Sequence, residues 1–546
     1  MRDLRYLAVL LAVSAFLFLF GLGDMALTDP DETFYAQSAK EMYSANEWVT
    51  PTIFGEPQFE KPVFYYWLIE LSYKVFGVSE FSARFPSAMF GIIGVVGIYF
   101  LGRLLFSPLC GFLAGLMTTT GVEYLVLARG CVTDMVLTVF ILLCFTFFVR
   151  AWLSKGGGGV FYVLSAAMAG FAVLTKGPIG LFIPAMVILL YIISTREWKR
   201  LGGIPVFWCV LAFTVVALPW YVIATMKHGH IFLNEFFGFQ NFTRFLHPEH
   251  RSGSSPLYYF PVVLGGFVPW SIFTVFAVWD MWKRGKEGDS PLRAYRFFFL
   301  AWFLVVFVFF SVSRTKLVTY IFPLFPVLSL VTARFWERAI LEKKGIAEKY
   351  LYISYTILAL LSAAGSIAGY IALKLEFPDN PAALTGMVWG VTLFASAFAV
   401  SVIFLLRGRK SWSFASIVGG LVIGCLPVVF FILPVVEEYE SSKAVCEAFL
   451  KFSKPGEPVA GESDNRRGVA FYTGRVDVVD VHPQDSLMEF ITRKERVWCI
   501  IQRKHLPRLV KDGTFMVPPP VFEGRKKVLI TNIPLEEGQG AIEIKK

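Results

Sequence analysis

The sequence predicts an integral membrane protein, mainly α-helical, with about thirteen transmembrane spans and a small α/β domain at its C-terminal end. Three observations carry that prediction. Of the 546 residues 56% are hydrophobic and only 17% charged, and the mean hydropathy is +0.60, whereas a soluble domain carries about a quarter charged residues. Apolar stretches long enough to cross a hydrocarbon core, about 17 to 25 residues, recur up to residue 435. From Glu437 the pattern changes to short strand-like runs, "VWCII" and "KVLITNI", separated by turn residues. The chain therefore divides into a membrane domain, 1–436, and an α/β domain, 437–546.

In order, the expected spans are 4–22, 84–105, 108–127, 131–153, 160–176, 178–195, 204–226, 257–280, 295–312, 316–333, 350–373, 384–406 and 413–434. The first follows Arg2 and Arg5 but is longer than a leader's apolar core, and no small-x-small pattern precedes Asp24; it reads as a retained span. Lys and Arg gather on alternate loops: Arg2/Arg5, Arg150/Lys155, Arg196/Lys199/Arg200, Lys283/Arg284/Lys286/Arg293, Arg334/Arg338/Lys343/Lys344/Lys349 and Arg407/Arg409/Lys410. Those loops face the cytoplasm by the positive-inside rule. The N-terminus is then cytoplasmic and the C-terminal domain periplasmic or otherwise extracytoplasmic. The same loops account for the net charge of +10 without a nucleic-acid partner. The seven Cys show no metal-ligand spacing and give no disulfide framework.

Loops 23–83 and 227–256 fall on the outer face. Within the first, "TFYAQSAKEMYSA" has helical spacing of apolar residues, and "KPVFYYWLIELSYKVFG" is apolar apart from Glu70 and Lys74. Segments 32–45 and 62–77 are expected to be helices lying in the interface plane. Paired broken spans, which a transporter would use near the midplane, are not recognised in the pattern.

The candidate chemistry sits on that outer face. "TDPDETFYAQ" carries Asp29, Asp31 and Glu32 after the first span. Acids and a proline in a first turn suit a helix start, and a carboxylate can begin a helix and still face a cavity. "FEKP" offers Glu60 as a metal or substrate ligand and Lys61 as an anion contact, or simply an exposed ion pair. Asp134 lies at the outer end of the fourth span, where an ionisable group needs a partner or a function; Arg129, one turn away, is the plain partner. The loop around Arg244, His247, Glu249, His250 and Arg251 offers a divalent-ion site without matching a strict metal motif. Arg314, Lys316 and Tyr320 put positive charge on the face that otherwise lacks it, which suits a lipid phosphate. Together they suit transfer chemistry on a lipid-linked anion.

Six stretches, "DETFYAQSAKEM", "FEKPVFYYWL", "ARFPSA", "LTKGPIG", "HRSGSSPLYYFPVVLGGFVPW" and "SRTKLVTYIFPLFP", in this order, resemble the polyprenyl-phosphate-sugar-dependent glycosyltransferases of the GT-C fold. The likeness is strongest to the lipid A aminoarabinose transferases and related bacterial members of the protein O-mannosyltransferase clan. It implies an inverting transfer of a monosaccharide from undecaprenyl phosphate to lipid A, a glycan or a protein, at the outer face of the cytoplasmic membrane and without a nucleotide cofactor. It implies Asp31 as the catalytic carboxylate, Asp134 as a second acid, and Lys61 and Tyr320 as holders of the donor phosphate. Glu60 and His250, with His247 as rival, match positions that hold a divalent metal ion; Glu32 would support the substrate or the structure. One departure stands out: the family pattern has Arg three residues after the catalytic Asp, where this sequence has Phe34, so a phosphate contact is lost or supplied elsewhere, by Arg314 or Lys316. Loop 227–256 is expected to order on donor binding, with the C-terminal domain covering the cavity or guiding acceptors. The reading of another class is a polyprenyl-lipid carrier or flippase with no reactive Asp31.

Overall fold

The computed structural model describes all residues except 1, 155–157, 244–254, 256, 287–289, 343–345, 377–379, 482–483, 507–519 and 536–546. The membrane domain opens with α1 (Arg2–Leu19), α2 (Asp31–Ala45) and α3 (Phe64–Phe76), the last two joined through a two-stranded ribbon of β1 (Thr52–Ile53) and β2 (Glu56–Pro57). It continues with α4 (Glu80–Leu105), α5 (Pro108–Thr120), α6 (Val122–Ala128), α7 (Thr133–Trp152), α8 (Gly159–Lys176), α9 (Ile179–Thr195) and α10 (Val206–Leu233). Helices Tyr259–Gly266, Trp270–Lys286, Ser290–Val312, Phe325–Leu341, Ile346–Glu376, Pro381–Leu406 and Lys410–Pro427 complete it. The expected helices at 32–45 and 62–77 correspond to α2 and α3.

Among the described residues, nine helices are long and apolar enough to cross a membrane, and eleven if each of two sharply bent pairs counts as one span. The tally of thirteen is not reached by this measure. The helix α1 carries Arg2, Asp3 and Arg5 within its 18 residues, and α9 is only 17 residues long. The bent pairs correct two further expectations. Segment 108–127 is not one straight span: α5 and α6 meet at 68°, because Gly121 adopts an extended conformation between them. Segment 257–280 breaks likewise, at 107° between Tyr259–Gly266 and Trp270–Lys283, just before Pro269, which has no N–H to continue a helix. Among the described residues two apolar helix pairs are thus sharply bent; periodicity does not register a bend when both halves remain apolar. Nor is 227–256 a loop from its start. Helix α10 runs on to Leu233 with a kink at Gly229 (φ +58°), and π-turns carry the chain to Thr243.

What fixes the first loop is a buried ion pair. Arg84, in the first turns of α4, donates from Nε and Nη2 to the Glu32 carboxylate at 2.8 and 2.7 Å. Its remaining donors reach the carbonyls of Leu22, Met25 and Ala26. Glu32 also accepts from Thr28 N, Thr28 Oγ1 and Cys131 N. One carboxylate therefore ties the end of the first span, the start of α2, α4 and the α6–α7 connection together. The saturation of both groups is what makes their burial tolerable.

The C-terminal domain follows helices Leu433–Glu440 and Lys443–Phe452. Its five-stranded sheet comprises β3 (Val459–Gly461), β4 (Val479–Asp480), β5 (Trp498–Gln502), β6 (Phe522–Glu523) and β7 (Lys527–Thr531), in the order β4-β3-β5-β7-β6. The β3 strand is parallel to β4 and β5, while β7 is antiparallel to β5 and β6. Alternation along β5 explains the layering: Trp498 and Ile500 pack with helices Lys443–Phe452 and Ser463–Thr473, whereas Cys499 and Ile501 pack with Gln484–Ile491. This is the small α/β fold expected beyond Glu437.

The two parts join through Asp29. Its carboxylate accepts from Lys527 Nζ at 2.6 Å, Ser442 Oγ at 2.5 Å and Thr33 Oγ1 at 2.9 Å. Helix Ser463–Thr473 packs on α2, and it comes so close that a Cβ at Gly468 would lie 2.3 Å from Asp29 Oδ1. Lys40 donates to the Phe471 carbonyl at 2.6 Å, and Leu27 N donates to the Tyr472 hydroxyl at 2.7 Å.

Arg84→Ala should lower stability by about 3 to 5 kcal/mol, because it leaves a buried carboxylate without its cation; thermal melting of the detergent-solubilised protein measures this. Burial opposes the Glu32 charge, but the Arg84 guanidinium and the hydrogen bonds outweigh it and hold the carboxyl below its ordinary value of 4.5. Its stabilisation is accordingly present above that value and lost as pH falls below it. The wild type should lose melting temperature in that acid range, and Glu32→Gln should lack that component of the loss.

Candidate functional site

A cavity of about 540 Å³ lies among the connections at one end of the membrane domain, with Glu60, Lys61, Asp134, Lys176, Gln240, Ser313, Thr315 and Tyr320 as its polar lining. The remaining wall is aliphatic and aromatic, including Phe182, Phe236, Phe237, Phe309 and Phe310. That size and mix suit a small amphiphilic ligand. A second, almost wholly apolar groove of about 400 Å³ shares Phe182 and Phe309 with it and runs between α9 and Ser290–Val312 past Met186, Leu190, Leu304 and Val308.

Asp134 stands in the first turn of α7, where the helix dipole favours a carboxylate. Its partner is Lys176, at 2.5 Å and on another helix. The expected pair with Arg129 is not formed. Arg129 points instead to the end of α1, donating to the carbonyls of Leu17, Phe20 and Gly21. Lys176 is held by the "LTKGPIG" corner. It is the last residue of α8, Gly177 follows with φ +82°, and Pro178 leads into α9. The corner is tight enough that a Cβ at Gly180 would lie 2.3 Å from the Ala172 carbonyl carbon. The Lys176 ammonium also sits 4.9 Å from the Tyr320 ring centre, which links three helices at one wall of the cavity. Lys176 is not among the candidate residues read from the sequence. The available signal was an acid and a lysine at the same ends of neighbouring apolar spans, each needing the other.

Glu60 and Lys61 reach the cavity because their neighbours are anchored. Phe59 is buried against the rings of His228 and Phe232, at 5.0 and 5.2 Å. Gln58 accepts from the Glu60 N–H at 3.1 Å and donates to the Tyr66 hydroxyl at 2.8 Å. Thr50 and His228 hydrogen-bond at 2.7 Å, so α10 braces the whole segment. Glu60 also faces Arg467 of the C-terminal domain, 3.8 Å away. That guanidinium lies over the Phe34 ring at 4.6 Å.

Asp31 is exposed at the start of α2 and is not among the cavity-lining side chains. Phe34 and Tyr35 follow it at the spacings that share a helix face. The Tyr35 hydroxyl lies 3.5 Å from Thr133 Oγ1, beside Asp134. Arg314 is exposed between the cavity-lining Ser313 and Thr315. Lys316 is buried and turned onto the Ser313 carbonyl at 2.5 Å, bracing the turn rather than lining the cavity. Arg244, His247, Glu249, His250 and Arg251 lie outside the described residues. Among the described residues no group of three or more His, Cys, Asp or Glu is arranged to hold a metal ion.

Residues 60–222 match the family model described as dolichyl-phosphate-mannose-protein mannosyltransferase. The chain is 29% identical over 407 residues to the undecaprenyl phosphate-alpha-4-amino-4-deoxy-L-arabinose arabinosyl transferase of Edwardsiella ictaluri (strain 93-146), covering 71% of this chain and 70% of the relative. It is 30% identical to an uncharacterized protein of Aquifex aeolicus (strain VF5), covering 66% of this chain and 70% of that one. Relatives sharing the arabinosyl transferase name are spanned over between 58% and 73% of their length. The crystal structure of ArnT from Cupriavidus metallidurans bound to undecaprenyl phosphate superposes with a TM-score of 0.81 at 22% identity, over 99% of each chain. The chain belongs to the polyprenyl-phosphate-sugar glycosyltransferases of the GT-C fold.

In a glycosyltransferase of this family the Asp134–Lys176 pair has two jobs to separate, holding helices together and presenting charge to the cavity. Either single replacement, Asp134→Asn or Lys176→Met, leaves one buried charge uncompensated and should cost about 3 to 5 kcal/mol. The double variant Asp134→Asn/Lys176→Met should recover most of the melting temperature yet remain inactive. Recovery of both stability and transfer would leave the pair only its structural job.

Proposed function

We propose that this glycosyltransferase moves a monosaccharide, aminoarabinose or a related sugar, from undecaprenyl phosphate to lipid A or another cell-envelope acceptor. The reaction takes place on the outer face of the cytoplasmic membrane, with the N-terminus cytoplasmic and the C-terminal domain outside. One observation carries this reading. A cavity with two lysines among its polar lining shares Phe182 and Phe309 with an apolar groove between two membrane helices. A polyprenyl phosphate has that division: a charged head for Lys61 and Lys176 and an isoprenoid chain for the groove. The names of the curated relatives supply the sugar and the carrier.

The mechanism is an inverting displacement. An oxygen of the acceptor forms a bond to the anomeric carbon, and the bond from that carbon to the phosphate oxygen breaks, releasing undecaprenyl phosphate. The leaving group departs as an anion and needs charge rather than a proton. Lys61 and Lys176 supply it, with the Tyr320 hydroxyl as a further donor. Asp31 accepts the proton of an attacking hydroxyl. If the attacking oxygen belongs to a phosphate it is already ionised, and Asp31 then orients it. Glu60 faces the Arg467 guanidinium of the C-terminal domain.

The test uses purified protein in detergent with undecaprenyl-phosphate aminoarabinose and lipid A, followed by mass spectrometry. Transfer without a sealed membrane is expected, and a carrier would show none. Asp31→Asn should lower turnover about 100-fold or more with a hydroxyl acceptor, and less with a phosphate acceptor, without changing the melting temperature. Parallel loss of folded protein would return Asp31 to a helix-start role. Sugar appearing only on protein or glycan would move the acceptor.

A further inference from the structure

We propose that the C-terminal domain contributes a substrate-binding residue, Arg467, whose guanidinium holds the phosphate-bearing part of the acceptor beside Asp31 and Glu60. This rests on the transferase reading above and extends it to the acceptor.

Arginines elsewhere in this fold are committed to partners. Arg84 commits donors to Glu32, Leu22, Met25 and Ala26. Arg129 commits its own to Leu17, Phe20 and Gly21. Arg466, next in sequence, lies 3.7 Å over the Phe54 ring and donates to the Val478 carbonyl at 2.7 Å. Arg467 differs from all three. Among the described residues its guanidinium makes no hydrogen bond, and its contact to Glu60, at 3.8 Å, is well beyond the 2.7 to 2.9 Å of a charge-assisted bond. Five N–H donors in a planar fork thus remain for a partner of complementary shape, and phosphate is that partner.

The fork is held in place rather than loosely displayed. One face stacks on Phe34. The turn that follows it is clamped to the first loop by the close approach of Gly468 to Asp29, by Lys40 on the Phe471 carbonyl and by Leu27 on the Tyr472 hydroxyl. The side chain keeps 29% of its surface exposed, so its edge meets solvent. Phe34 lies three residues after Asp31, on the same face of α2.

Position decides which phosphate it meets. Arg467 does not line the cavity, whereas Lys61, Lys176 and Tyr320 do. The donor phosphate has its cations inside; Arg467 belongs to the C-terminal domain and meets Glu60 without lining the cavity, which leaves its fork to the acceptor.

The full-length enzyme in detergent tests this with lipid A bearing its phosphates and with dephosphorylated lipid A. Arg467→Ala should raise KM for the phosphorylated acceptor about tenfold or more, the worth of a hydrogen bond to a charged group. KM for the donor and binding of undecaprenyl phosphate should not change, and Arg467→Lys should recover part of the loss. An unchanged acceptor KM in a variant of wild-type melting temperature would overturn the proposal. So would a rise confined to the donor, which would put Arg467 on the donor phosphate. Should the wild type transfer nothing, it is the transferase reading that fails; donor-free binding of phosphorylated lipid A to wild type and Arg467→Ala then decides the role of Arg467, equal affinity overturning it.

Discussion

The pair formed by Glu32 and Arg84 is the constraint on which the rest of the site depends. Two side chains, both buried, close the path from the first span to the fourth helix. Because one carboxylate serves Thr28, Cys131 and Arg84 together, the start of α2 is fixed relative to the start of α7. Asp31 and Asp134 begin those two helices. Their relative placement therefore comes from neither acid but from the one that lies beside Asp31 in sequence. Three carboxylates after a membrane span divide the labour: Asp29 grips the C-terminal domain, Glu32 grips the membrane helices, and Asp31 is left on the surface between them.

Membrane helices contribute little hydrophobic drive toward one another, since lipid is as apolar as their side chains. Glycine-based close contacts and a few ionic clamps do the positioning instead. The α8–α9 corner illustrates this. Gly177 and Gly180 permit a tight return of the chain, and the return delivers Lys176 to Asp134. Aromatic rings from α9, from the π-turns after α10 and from Ser290–Val312 then form much of the cavity's apolar wall.

Much of this was legible in the sequence. Length and hydropathy gave the helical membrane class, and the composition shift at Glu437 gave the α/β domain. Glu60, Lys61, Asp134 and Tyr320 were singled out from residue type and loop position, and they converge on one cavity. Other features were not legible, each for a physical reason. Arg129 seemed the partner of Asp134 because it is near in sequence, but a helix start separates them and its guanidinium serves α1. The bends at Gly121 and before Pro269 left hydropathy untouched. Lys316 counted as positive charge, yet its amine is spent on a carbonyl three residues away. Arg467 is distant in sequence from every candidate residue of the outer loops, and only folding brings it to Phe34.

The grip of Asp29 on Lys527 spans 498 residues of chain. At a synthesis rate of about 5 to 20 residues per second, roughly 25 to 100 s pass between the emergence of the two partners. Through that interval the first loop has its membrane-side clamp but not its second one. The contact between the first loop and the C-terminal domain is consequently completed last, after the membrane helices have been made. A chain that stops short of the final strand keeps its membrane helices but lacks the Lys527 contact that fixes Asp29.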